Sequence, residues 1–269
     1  MATRPAAFDM DPLPRTLAVD WSGARVHAAW KIWLAESCDG RLIRLENGRS
    51  REAVMTFLIE ESKRDPRFIV GFDFAFSFPV WFCEQVGAKT VVDLWRHVGQ
   101  TGEQWLALCG APFWGRRGTT CLPAERRFRK TERDIARRVS GARPKSVFQI
   151  GGPGAVGTGS LRGMPILEAL REAGFSIWPF DPPGWPMVVE IYPRALTGPV
   201  NKSSHDTRLR YVTKTFPNVS RRHVAAAGSC EDAFDAAVSA LVMQRRIDEL
   251  TNLAKAADRV DLLEGRIWY

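Results

Sequence analysis

The chain has 269 residues, 45% of them hydrophobic and 25% charged, a globular balance with enough length for one large domain or two small ones. No apolar run is long enough to span a membrane, and residues 1–15, rich in proline and without an apolar stretch, read as a disordered tail rather than a signal peptide. Five scattered cysteines without a CxxC pair argue against a disulfide framework and for a reducing cytoplasm, and four histidines without ligand spacing turn attention from zinc to hard, oxygen-bound metals.

After the tail, segments 16–23, 27–37 and 41–47 read as three strands joined by short turns at Gly23-Ala24 and Asp39-Gly40, an antiparallel meander. An amphipathic helix over 50–64 follows, with Ser50 as its N-cap, and 67–74 returns as a strand. Such a strand–helix–strand passage lays the new strand parallel to an earlier one. Pro79 opens a further helix, 90–115 reads as helical and rich in tryptophan, and a basic helix starts near Pro123. SVFQI (146–150) reads as a short strand before a glycine-rich loop. A helix over 165–174 and strands at 175–180 and 186–193 come next. Helices over 203–216, 220–228 and 229–250 follow, the last with Ser229 and Asp232 as a capping-box start, and RIWY closes the chain as a strand. Most of the tryptophans, including Trp30, Trp33 and Trp81, sit in apolar periodicity and read as core. The order predicts one α/β domain over 16–269 with a helical, basic insertion at about 90–145.

Three apolar runs end on one carboxylate each: TLAVD on Asp20, RFIVGFD on Asp73 and PMVVE on Glu190. EDAFDAAVSA adds Asp232 and Asp235 at i and i+3, on one helix face with Cβ atoms about 5–6 Å apart. In parallel sheets ligands gather beyond the strand C-termini. Like charges about 5 Å apart repel by roughly 3 kcal/mol at an effective dielectric of about 20. Without a cation one carboxylate must hold a proton; with Mg²⁺ or Mn²⁺ the repulsion becomes coordination. Each acid also has a plain structural reading. Asp20 and Asp73 can end strands in turns, Glu190 can pair with Arg194, and Asp232 can favour a helix N-terminus. Ser22, Arg194 and Lys202 stand near these acids in sequence and are candidate substrate contacts.

Residues 116–145 hold eleven Lys or Arg against three acids, a surplus of eight that equals the net charge of the whole chain. The candidates for phosphate contact are Arg116, Arg117, Arg126, Arg127, Arg129, Lys130, Arg133, Arg137 and Arg138; the alternative is a solvated helix face. GPGAVG (152–157) matches a dinucleotide fingerprint, but Gly159, Gly163 and Pro165 follow at once and argue against the helix which that fingerprint needs, so no dinucleotide cofactor is expected. The loop reads as a phosphate-binding or a plain surface loop.

The motifs VDWSG, GFDFAFSFP, SVFQIGG with VGTGSLRG, EIYPRAL and EDAFDAAVSAL resemble, in this order, domain-of-unknown-function family 429, over about residues 16–250. The resemblance implies a predicted nuclease with an RNase H-like mixed sheet, its first three strands antiparallel and the others parallel, flanked by helices. It also places Asp232 and Asp235 much as Holliday-junction resolvases of that fold place their last two acids. Those resolvases take a middle acid from an earlier strand, where Asp73 stands, so Glu190 fits that pattern less well.

The sequence thus predicts a metal-dependent nuclease. Asp20, Asp73, Asp232 and Asp235 hold Mg²⁺ or Mn²⁺, Glu190 assists, and the basic segment grips nucleic acid. The alternatives are a non-catalytic nucleic-acid-binding module and an enzyme acting on a nucleotide or phosphorylated small molecule.

Overall fold

The structure, a computed structural model, describes residues 13–269. The expected tail therefore lies, apart from its last three residues, outside the described residues, and Arg15 is already strand. The first half contains β1 (Arg15–Asp20), α1 (Ala28–Lys31), β2 (Trp33–Cys38), β3 (Arg41–Asn47), α2 (Arg51–Arg64), β4 (Phe68–Phe72), α3 (Val80–Gln85), α4 (Val91–Leu108), α5 (Ala124–Arg127) and α6 (Lys130–Arg138). Then come α7 (Val156–Glu172), β5 (Ser176–Ile177), β6 (Met187–Ile191), α8 (Pro193–Thr197), α9 (His205–Thr215) and α10 (Arg221–Gly228). The chain ends with α11 (Glu231–Arg245), α12 (Ile247–Thr251), α13 (Arg259–Glu264) and β7 (Ile267–Trp268).

One seven-stranded mixed sheet organises these elements in the order β3-β2-β1-β4-β6-β5, with β7 also on β6. β1, β2 and β3 are antiparallel; β4, β5, β6 and β7 pair in parallel. Period-two alternation assigns the two faces. Leu17, Val19, Val70, Phe72 and Val188 point into a core shared with α2, α4 and α7. Ala18, Ile69, Val189 and Ile191 point to the other face, which α11 covers with Phe234, Ala237, Val238 and Leu241. Gly71 lets that helix come close, since a Cβ there would stand 2.8 Å from Met243 Sδ.

Several elements differ from expectation. Segment 27–32 is a helical turn, not strand, because His27 takes a left-handed conformation (φ 57°) and Asp20 pairs with Trp33. The link after β1 is therefore long, whereas Asp39-Gly40, with both φ positive, is the expected tight hairpin turn. Trp30 is 67% exposed rather than core. The basic helix is broken at Phe128–Arg129, where Arg129 turns inward. SVFQI is not a sheet strand; only a bridge from Gln149 to Trp114 remains. Strand 175–180 shrinks to two residues. Helix 229–250 divides at Arg246, and Cys230, not Ser229, caps it, accepting the Ala233 N–H.

The largest difference is α7. It opens directly on the glycine-rich loop and carries Gly157, Gly159, Gly163 and Pro165 within it. Glycine and proline propensity is overridden by packing, with Leu161, Met164, Leu167 and Leu170 buried. The glycines serve close approach. A Cβ at Gly157 would meet Val147 O at 2.1 Å, and one at Gly163 would meet the Phe74 ring at 2.5 Å. The absence of a helix is thus no argument against the dinucleotide fingerprint. The stretch before the loop is not a sheet strand, however, so the strand–loop–helix frame of that fingerprint is incomplete.

Candidate functional site

β1 and β4 are parallel neighbours, and Val19 pairs with Phe72. Asp20 ends β1 and Asp73 follows β4, its N–H donating to Val19 O at 3.2 Å, so the two acids emerge side by side. The Thr16 hydroxyl at the other end of β1 donates to Ala240 O of α11 at 2.8 Å. α11 therefore runs back along β1 and brings its N-terminal turns, with Asp232 and Asp235, towards Asp20. Ala233, Ala236, Ala237 and Ala240, all buried, allow the close approach.

The loops bearing these acids are held from outside the sheet. Arg51 donates to Ser22 O (2.8 Å) and Ala24 O (2.5 Å), and Arg162 donates to Gly23 O. Trp21 Nε1 donates to Gly159 O at 3.2 Å, and a Cβ on Gly23 would lie 2.4 Å from Gly159 N, so α7 presses on the turn after Asp20. Ser160 Oγ accepts the Ala75 N–H at 2.9 Å, fixing the turn after Asp73. Ser22 is thus a turn residue whose hydroxyl accepts the Ala24 N–H at 3.2 Å.

Four acids act on one another electrostatically here, and one lysine is ion-paired with Asp235. Asp20, Asp73 and Asp232 keep a partly exposed edge, and Asp235 is 7% exposed. Burial raises the Asp20 carboxyl well above the usual carboxylate range, and the charges of Asp73, Asp235 and Asp232 raise it further. Burial, then Asp235, pushes Asp73 up to about 8. Asp232 and Asp235 are also raised, burial again first. Lys202 opposes each of these shifts. Its ammonium is ion-paired with Asp235 Oδ2, while Asp235 Oδ1 is buried without a hydrogen-bond partner. Burial disfavours the Lys202 charge, but Asp235, Asp73 and Asp20 outweigh it and raise its pKa. Among the described residues no three His, Cys, Asp or Glu side chains converge tightly enough to close a metal site in this conformation. The acids are gathered but not drawn together.

Glu190 stands apart. It pairs with Phe72 across β6 and β4, and its Oε2 accepts from Phe76 N (2.9 Å) and Arg129 Nη1 (2.8 Å). Its second oxygen faces Arg129 Nη2. Arg129, fully buried, also donates to Glu132 Oε1 (2.8 Å from Nε) and Glu264 O (2.9 Å). The partner of Glu190 is thus Arg129, not Arg194, which instead donates to Val200 O at 2.7 Å.

The basic segment is largely tied into the fold. Arg116 bonds carbonyls of α4, and Arg126 lies over the Trp81 ring at 4.1 Å. Arg127 donates to Cys121 Sγ and Arg133 to Phe128 O. Lys130 bridges Asp258 (2.8 Å) and Asp261 (3.1 Å). Arg117, Arg137 and Arg138 remain exposed.

A cleft of about 280 Å³ runs from Asp73 between Trp21, Tyr192 and Lys145 to the loop that opens α7. Its lining joins the acidic site to the glycine-rich segment. Sequence reasoning missed Arg51, Arg162, Ser160 and Arg208, which shape the site through contacts far apart in sequence and carry no local signal. No protein-family model matches this chain, and neither curated proteins nor solved structures include a match.

Proposed function

We propose that this protein is a divalent-metal-dependent hydrolase of phosphodiesters, with nucleic acid as its substrate and an RNase H-like arrangement of its sheet. This is the function that the resemblance to domain-of-unknown-function family 429 implies. The observation that carries it is the crowding of Asp20, Asp73, Asp232 and Asp235 at one end of β1, β4 and α11, with one lysine ion-paired among them. The donors are all carboxylate oxygens, which suits Mg²⁺ or Mn²⁺, and the orphaned Asp235 Oδ1 fits an ion's oxygen ligand. Asp20, Asp73, Asp232 and Asp235 are the residues that would hold the ion. When bound, such an ion lowers the pKa of water and stabilises the leaving oxygen. The chain's own contribution is placement: α7, Arg51 and Arg162 fix the turn after Asp20, and Ser160 fixes the turn after Asp73. Glu190 supports the loop after β4 from behind, through Phe76 N–H.

A panel of DNA and RNA substrates of different shapes, incubated with Mn²⁺, tests this reading. Cleavage by the wild type and a loss of at least about 100-fold in Asp20→Asn are expected. If no substrate is cut, or if Asp20→Asn cuts as well as the wild type, the reading is wrong. The cleft supports a second reading. At about 280 Å³ it lies at the small end of ligand pockets and reaches Asp73, which suits one nucleotide or a phosphorylated small molecule. Adding nucleotides to the panel separates the two.

A further inference from the structure

We infer that Lys202 is a built-in cation of the acidic site, filling one of two cation positions, so that the four aspartates take one divalent ion rather than two. This rests on the proposed metal-dependent reading.

The case begins with how Lys202 is held. It lies between α8 and α9, in a segment with no regular structure of its own. A surface lysine in such a segment normally wanders. Here Arg208, only 6% exposed, donates to the carbonyl of Lys202 and, through Nε (3.0 Å) and Nη2 (2.8 Å), to the carbonyl of Gly228. Gly228 ends α10, two residues before Cys230 caps α11. One buried guanidinium therefore ties the backbone of Lys202 to the backbone leading into the helix that carries Asp232 and Asp235. Arg194 adds a second tie at Val200 O, 2.7 Å away. A Cβ on Gly228 would meet Leu209 at 2.3 Å, so this junction tolerates little slack. The fold thus fixes the backbone of Lys202 relative to the backbone entering α11, and the lysine stem has only to span the gap to Asp235.

The second line is occupancy. The ammonium takes Asp235 Oδ2 and leaves Oδ1 as the buried, unpartnered oxygen of that side chain. In two-metal sites the ions stand about 3.5–4 Å apart. A second ion on Asp235 Oδ2 would have to displace the lysine. An ammonium is a compact point charge able to stand where such an ion would, without needing a coordination shell. The same lysine faces Asp73 and Asp20 electrostatically, as a second cation would.

Titration of the folded protein with Mn²⁺ by calorimetry reads this directly. One ion per chain is expected for the wild type, and two for Lys202→Met. Lys202→Arg keeps a cation in place and should stay at one ion. Lys202→Gln replaces the Met variant if circular dichroism shows that the latter does not fold. Two ions on the wild type would overturn the inference while leaving the metal reading intact. So would one ion on the charge-removing variant. A wild type that binds no Mn²⁺ removes the metal reading itself, and the inference with it.

Discussion

Two groups of acids stand at the same end of one sheet and are treated in opposite ways. Glu190, on β6, receives two guanidinium nitrogens and a backbone N–H, and the same Arg129 serves Glu132. Asp20, Asp73 and Asp235, from β1, β4 and α11, face one another with a single lysine ion-paired among them. A buried charge that is paired and hydrogen-bonded needs nothing from outside. A cluster with more negative charge than its neighbours neutralise leaves a deficit for a proton or a metal ion to fill. The comparison separates an acid that builds the fold from acids that wait for a ligand, though all end apolar segments or start a helix.

Removing Arg129 is the strongest way to break the comparison. Arg129→Met leaves Glu190 and Glu132 buried without their shared cation, and losing one partner of a buried pair costs about 3–5 kcal/mol. Urea unfolding should show that loss. A variant as stable as the wild type would mean that Glu190 is no better satisfied than Asp73.

Burial raises the carboxyl at both Glu190 and Asp73, but at Asp73 no arginine offsets it. Its folded-state pKa of about 8 lies above its ordinary value of 3.8, so between these two values the folded protein binds a proton that the unfolded chain has released. Its contribution is present at low pH and is withdrawn as pH rises through that window. The metal-free protein should therefore melt at lower temperature at pH 8.5 than at pH 6, by a few degrees, at roughly 2–4 °C per kcal/mol for a chain of about this size. Asp73→Asn should flatten this slope and raise the melting temperature at pH 8.5, the repulsion removed being up to roughly 3 kcal/mol. Mn²⁺ should work the other way, binding more tightly as pH rises because it competes with the proton. A metal-free melting temperature that climbs from pH 6 to pH 8.5, or a slope that Asp73→Asn leaves intact, would show that burial and the neighbouring acids do not hold the Asp73 carboxyl protonated.

What could be read from the sequence follows the range over which each signal acts. The strands at Arg15–Asp20, Phe68–Phe72 and Met187–Ile191, the Ser50 cap and the Asp39-Gly40 turn are written in local pattern and stand where expected. The gathering of Asp20, Asp73, Asp232 and Asp235 was also legible, because strand ends and helix faces are periodic. The first half of α7 was not, although its second half lies in the helix expected over 165–174; the glycines before Pro165 oppose a helix locally and are overruled by core packing from one side and the Asp20 turn from the other. Nor was the fate of Glu190. A cation 61 residues away in sequence neutralises it, and no spacing rule couples Arg129 to β6. The partners of the basic segment were hidden for the same reason: charge counts a side chain without saying what it touches.

That segment repeats the contrast on a smaller scale. Arg129, Lys130, Arg127 and Arg133 are engaged within the fold, while Arg137, whose side chain is 77% exposed, has only a loose contact with Asp134 at 4.0 Å, and Arg138 is exposed beside it. Spent cations hold structure; outward ones are free for phosphate. Arg137→Gln with Arg138→Gln should leave stability within about 0.5 kcal/mol of the wild type, as surface changes do. If a polynucleotide lies along this surface, each lost contact lowers the slope of log affinity against log salt by about 0.9 for duplex DNA, so the double variant should lose roughly 1.8. An unchanged slope, with binding otherwise present, would detach the basic segment from the substrate. It would move the weight of evidence to the cleft beside Asp73 and Lys145, and with it to a substrate no larger than a nucleotide.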